Sequence, residues 1–319
     1  MGKRKIRIVM ILFICVSIGT VFAYFYHQQG DAKEKTDIAV SFCDTKNPRT
    51  TAMAQDVLEY IEQGQFSVRW CDAKSDLEKQ KQDIQALMEY EPEYLVIVPL
   101  RTQGIEEELI KIDTVETKII LLDRTIDNFK NIPILAEVRT DAQWEGQACA
   151  CLLKEYMGAD QRNILEISGE KGSSINKMHS IGFRNQLSTY ASLEIKGTVE
   201  GNGDRVTTRN NVINYFSNQT DEIHAIFANT DEEGIGAVEA LEKLGLKDQI
   251  TVVSVNGIQD AKNAIEAGSY YGCVEATPYL GKILINLIQR DMNQKEVTYA
   301  NIQKGKVYTV VNINEMRGY

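Results

Sequence analysis

Asp123 and Arg124 stand side by side at the end of the apolar run Ile119 to Leu122, in the stretch IILLDR. The run reads as a buried strand, so the two charges sit where that strand leaves the core. A carboxylate only accepts hydrogen bonds and a guanidinium only donates them. Together they could hold a ligand rich in hydroxyls. They could equally form a solvent-facing ion pair, which would contribute less than about 1 kcal/mol. The local pattern leaves both readings open.

Other residue types offer little chemistry. The sequence has no Gly-x-Ser-x-Gly elbow, no Walker loop and no metal-ligand spacing. Cys149 and Cys151 lie two apart on a predicted helix and point to different faces, and His27, His179 and His224 are the only histidines. Neither a metal nor a cofactor is expected. GIGAVEA (234–240) resembles a dinucleotide fingerprint, but its glycines fall inside a predicted helix, where close helix packing is the better account. Asp123 and Glu275 could serve as a glycosidase acid pair only at about 5 to 10 Å separation. Arg124 beside Asp123 would keep it ionised and unsuited to act as the acid, so no catalytic residue is assigned. Cys43 and Cys71 end two consecutive predicted strands; a disulfide or two free thiols would both fit.

The elements that must position these residues alternate regularly. β-rich runs are expected at 37–42, 65–70, 94–98, 118–122 and 134–138, with helices near 48–63, 76–90 and 103–112. A second series has strands near 162–168, 193–199, 223–227, 250–255 and 270–275. Its helices fall near 142–157, 174–190, 205–217, 231–244, 259–267 and 279–291, and a last strand at 307–314 lacks a helix. This is βαβ repetition, so parallel sheets are expected. The fold class is α/β, with two doubly wound parallel-sheet lobes. The break falls near 139–141, where Thr140-Asp141-Ala142-Gln143 has the form of a capping box. Open parallel sheets bind ligands beyond the carboxyl ends of their strands, which is where Asp123 and Arg124 stand.

Residues 8–26 carry no charge and follow four basic residues. Nineteen residues span roughly 28 Å as a helix, close to a bilayer's hydrocarbon thickness. A signal anchor within residues 1–30 is expected, with the N-terminus cytoplasmic and the rest extracytoplasmic. Cleavage near Ala23 is the alternative. Beyond this segment 31 basic residues face 45 acidic ones, a balance of −14. Nucleic acid is therefore not expected as a partner.

The segments KNPRTTAMAQDV, YLVIVPL, IILLDR, TDAQWEG, HSIGF, FANTDEEGIGA, VVSVNGIQDAKNAIEAGSY and GCVEATPYLG occur in one order. In this the chain resembles the type I solute-binding proteins, in particular the ribose- and galactofuranose-type sugar-binding proteins of ABC transporters, over roughly residues 37–305. The resemblance implies two lobes joined by a three-strand hinge, with crossings near 139–141, 275–278 and 303–306. One lobe would be 37–140 with 277–303, the other 141–276 with 304–319. It implies a monosaccharide or small polyol bound on lobe closure, and a membrane partner. That partner would be an ABC permease, or a sensor histidine kinase for which the chain acts as an anchored co-receptor.

The resemblance also places ligand-binding residues. Asn47, Arg49 and Thr50 follow the first strand, Asp123 and Arg124 match an Asp-Arg pair, Thr140 matches a crossover contact, and Glu275 matches an acidic residue before Pro278. His179, Thr230 with Asp231, and Asn256 stand where the family more often has Arg, Asn-Asp and Asp. They leave a polar pocket of altered geometry. Trp144 could wall the cleft or simply pack its helix, and Phe42 and Trp70 share that ambiguity. With Asp123 and Arg124 satisfied by each other and by ligand, Asp123→Ala is expected to weaken binding while leaving ligand-free stability nearly unchanged.

Overall fold

The computed structural model describes residues 35–319 apart from positions 128 and 220. The expected anchor at 8–26 lies outside the described residues. Among the described residues no helix is long and apolar enough to cross a membrane.

The first sheet is built from β1 (Ile38–Phe42), β2 (Val68–Asp72), β3 (Tyr94–Ile97), β4 (Lys118–Leu122), β5 (Ile134–Thr140) and β11 (Ala300–Gln303), in the order β11-β5-β4-β3-β1-β2. The second uses β6 (Arg162–Ser168), β7 (Leu193–Glu200), β8 (Ala225–Ala228), β9 (Thr251–Asn256), β10 (Gly272–Glu275) and β12 (Val307–Thr309), in the order β12-β10-β9-β8-β6-β7. All pairings are parallel except that of β12 with β10. Strands β1, β3 and β8 are buried at every residue. That is what a parallel sheet covered on both faces demands, and it is why these strands read as unbroken apolar runs.

The helices are α1 (Pro48–Gln63), α2 (Leu77–Met88), α3 (Glu106–Ile110), α4 (Ala142–Met157), α5 (Ser174–Leu187), α6 (Arg205–Asn218), α7 (Asp231–Leu244), α8 (Gln259–Glu266) and α9 (Gly281–Met292). Most start on a short polar side chain that takes an orphan backbone N–H of the first turn. Asn47 caps α1, Ser173 caps α5, Asp204 caps α6, and Thr230 opens α7 with a full capping box closed by Glu233. The cap of α4 is Asp141, not Thr140, which is still the last residue of β5. Two other expectations shift, and one left open is decided. β2 starts at Val68, because Gln65 adopts a φ of +60° in a turn. The last strand stops at Thr309 and gives way to a 3-10 turn at Ile313–Glu315. Cys43 and Cys71 are free thiols although β1 and β2 are neighbours.

Three links run between the strand systems: Thr140 into α4, Glu275 through Ala276 to α9, and Gln303 to Val307. They bond to one another, with Asp141 N donating to Gln303 O at 2.9 Å and Glu275 N to Lys306 O at 2.8 Å. Packing glycines occur where helices meet. A Cβ on Gly236 would stand 2.4 Å from Arg205 O, and one on Gly234 would overlap the Tyr270 hydroxyl. These are the glycines of GIGAVEA, and they serve close packing.

Candidate functional site

The switch in strand order falls between β1 and β3 in one sheet and between β6 and β8 in the other. The carboxyl ends of both sheets face each other across a cavity of about 360 Å³. Its walls are loops and first helical turns: Asp44, Lys46, Asn47, Arg49 and Thr50 after β1, Arg124 after β4, Glu170, Ser173 and Asn176 after β6. Asn202, Asp204 and Arg205 after β7, Thr230 and Glu232 after β8, and Asn256 ending β9 also line it.

The Asp-Arg dipeptide does not form a pair. Asp123 adopts a φ of +64°, its N–H donating to Val138 O, and the two side chains part. Asp123 takes both η nitrogens of Arg49 on its two oxygens, at 3.0 and 2.5 Å, and Arg49 Nε donates to Ala276 O in the second link. The pair is buried, with 6% of the Arg49 side chain and none of the Asp123 side chain exposed. Burial pulls the Asp123 carboxyl upward. The Arg49 charge and hydrogen bonds, helped by Arg124 and His179, outweigh burial and hold it below the usual carboxylate range. Arg124 instead crosses the cleft. Its Nη1 donates to Leu100 O at 3.1 Å and to Glu170 Oε2 at 3.0 Å. Two backbone N–H groups make the same crossing, Thr125 N donating to Ser174 Oγ at 2.9 Å and Thr102 N to Gly172 O at 2.9 Å. The lobes are closed on each other.

Of the residues singled out by sequence, Asn47, Arg49, Thr50, Arg124, Thr230 and Asn256 line the cavity. Asp123 lies behind Arg49. Asp231 is buried and accepts from Ser254 Oγ, Gly257 N and Ile258 N, so it shapes the turn after β9. His179 is fully buried, its ring nitrogens on Glu145 Oε2 (2.8 Å) and Asn229 O (3.0 Å), and does not line the cavity. Thr140 is buried at the first link, and its Oγ1 has no hydrogen-bond partner. Glu275 Oε2 accepts from Lys306 N within the links. Trp144 is half-buried on α4 against the core around β9 and β10, with Lys304 Nζ 5.6 Å from its ring centroid, and does not line the cavity. Phe42 is core and Trp70 is half exposed on the edge strand, so neither walls the cavity.

Sequence reading missed Asp44, Lys46, Glu170, Ser173, Asn176, Asn202, Asp204, Arg205 and Glu232. A signal existed. Each lies just beyond β1, β6, β7 or β8, and the strand-end rule applied to every strand would have marked them.

Glu233 supports this wall from inside. It is fully buried, accepting from Gly203 N at 2.7 Å and Thr230 N at 3.0 Å. Burial lifts its pKa to about 8 against the opposing pull of those N–H groups. A folded pKa above the unfolded value means the native state binds the proton more tightly, so stability falls as pH rises through that interval. The melting temperature is expected to fall between pH 5 and 8 by the equivalent of a few kcal/mol. Glu233→Gln should flatten the variant's own pH profile, so the wild-type-minus-variant difference should change between pH 5 and 8; a difference that stays constant with pH rules out Glu233 as the source.

The match to the periplasmic binding protein domain spans residues 38–296, most of the chain. The chain belongs to the periplasmic binding protein family. The ribose import binding protein of Bacillus subtilis is 25% identical over 269 residues, covering 84% of this chain and 85% of the relative. The fructose import binding protein of Bifidobacterium longum is 22% identical over 253 residues, 77% of this chain and 76% of the relative. The crystal structure of a galactofuranose binding protein superposes with a TM-score of 0.83 at 20% identity, over 88% of this chain and 97% of the other. As a periplasmic binding protein, the chain carries its cavity where the two α/β lobes meet.

Proposed function

We propose that this chain is an extracytoplasmic sugar-binding protein that closes its lobes on a monosaccharide or small polyol and presents the closed form to a membrane partner. The observation that carries this reading is the cavity between the strand ends of both lobes, lined by hydroxyls, amides, carboxylates and guanidinium groups. Such groups match the donors and acceptors of a polyol, and closure needs contacts from both lobes, which Arg124 and Glu170 already make. The relatives are binding components of import systems. No chemical step is assigned to the site. An ABC permease is the first partner, the chain acting as its solute-binding component.

A second reading makes the chain a co-receptor for a sensor histidine kinase. One solved structure, the fructose binding periplasmic domain of a hybrid two component system, has a TM-score of 0.81 at 17% identity, over 88% of this chain and 93% of the other. A retained anchor at 8–26 would hold the two partners at high effective concentration.

Ligand binding to the native state raises its stability by mass action, about 2.7 kcal/mol at a hundredfold excess over Kd. Thermal melting against pentoses, hexoses, furanoses and polyols should therefore show an upward shift of several degrees for at least one member. No shift across the whole panel would sink the reading.

A further inference from the structure

We propose that Tyr319 is a positioning residue for the ligand cavity: its hydroxyl ties the wall residue Asn256 to the second link, so that the tail after β12 sets both the wall and the hinge. The role in affinity rests on the sugar-binding reading; the hold on the hinge does not. Tyr319 does not line the cavity. Its O–H stands behind the wall, 2.6 Å from Asn256 O and 3.3 Å from Ala276 O. A phenol has one proton to give, and the shorter contact takes it. Asn256 O also accepts from Ala276 N at 3.0 Å, so both of its lone pairs are used. Ala276 O in turn accepts from Arg49 Nε at 2.9 Å. One chain of bonds therefore runs from the tail, through the wall and the link, to the Arg49–Asp123 pair. Burial pushes the Tyr319 phenol well above its ordinary range, so the hydroxyl keeps its proton and remains a donor.

The wall needs such a hold. Asn256 ends β9 at a φ of +135°, and it lines the cavity. A residue other than glycine is strained there and persists only where its surroundings over-determine it. Its pairing with Glu275 fixes one side, and the two bonds to its carbonyl fix the other. The tail that brings Tyr319 is itself anchored on the second lobe. Ile313 and Met316 are buried in that lobe's core, Lys262 Nζ donates to Met316 O at 2.8 Å, and Gln259 N donates to Tyr319 O at 3.2 Å. From there the tail reaches across. Tyr279 precedes Leu280, a core residue of the first lobe. Two tail residues meet the Tyr279 ring, Arg317 with Cζ 5.2 Å from its centroid and Tyr319 edge-on at 6.3 Å. Both are favourable ring geometries, and they join the two lobes beside the second link.

Tyr319→Phe keeps the ring against Tyr279 and deletes the O–H, so it separates positioning from packing. Two measurements on the purified full chain and this variant form the test. The first is calorimetric titration with D-ribose, D-fructose, D-galactose, L-arabinose and myo-inositol. Any probe that binds the wild type should bind the variant about fivefold more weakly, the equivalent of one net hydrogen bond. The second is hydrogen exchange without ligand. The peptide holding Ala276 should exchange about fivefold faster in the variant, while β8 exchanges as in the wild type. Unchanged exchange at Ala276 overturns the inference whatever the sugars do. Unchanged affinity overturns it even if the melting temperature falls, because Tyr319 would then only pack. Faster exchange in β8 as well would mean a general loosening and would overturn it too. Failure of every probe to bind the wild type counts against the sugar-binding reading and not against the junction, which the exchange result then decides alone.

Discussion

Asp123→Ala is expected to destabilise the ligand-free protein by about 3–5 kcal/mol, the usual cost of orphaning a buried charge. The reason is Arg49. Its guanidinium is buried at the root of α1 with two of its three nitrogens on Asp123, and arginine cannot shed its proton. Removing the carboxylate leaves that charge in the interior with Ala276 O as its remaining protein partner. The melting temperature should drop by on the order of 10 °C. Arg49→Met should cost less than Asp123→Ala, because a lone aspartate can neutralise itself by protonation. The double variant Arg49→Met with Asp123→Leu should recover much of the loss, since apolar replacement of a buried pair is often near neutral. Melting and denaturant titration of the three variants form the cycle. A loss under about 1 kcal/mol for Asp123→Ala would show a hydrated pair of the surface type. This reverses the sequence expectation that ligand-free stability would hardly change, which assumed that Asp123 paired with its neighbour Arg124.

Gly182→Ala is expected to cost about 3 kcal/mol or more, at or beyond the usual range for overpacking. The helices α4 and α5 cross with their backbones in contact. A Cβ on Gly182 would stand 1.9 Å from Gln143 O, and one on Gly146 would stand 2.0 Å from His179 O. Both obstacles are main-chain atoms inside helices, so no side chain can swing aside. The helices must separate, and Phe183 loses its fit against Phe227, with which it stacks at 3.9 Å. Function should suffer with stability. Ser173 and Asn176 at the start of α5 line the cavity, and a shifted helix carries them with it. Ligand affinity and urea midpoint should therefore fall together. A variant within about 0.5 kcal/mol of wild type would show that the helices separate at little cost.

Sequence by itself determined the α/β class and the parallel sheets, because both faces of each sheet are covered and central strands such as β1, β3 and β8 must be apolar throughout. Runs such as YLVIV and AIFA announce this without help from distant residues. It also determined most helix starts, since a cap is a local bargain between one side chain and a nearby N–H, as at Asn47 and Thr230. The membership of the chain in its family was legible in the ordered segments. What the sequence left undecided was pairing at long range. Asp123 and Arg124 are adjacent in the chain, yet Asp123 meets Arg49 from 74 residues away and Arg124 meets Glu170 from 46 residues away. Adjacent residues at a strand end point in divergent directions, the more so when the first has positive φ. His179 gives the same lesson: a polar residue beside a ligand loop was drawn inward by Glu145 on the neighbouring helix. Only the tertiary structure decides such partners, because a buried charge takes whichever opposite charge the packed backbone brings within reach, and sequence distance does not enter that choice.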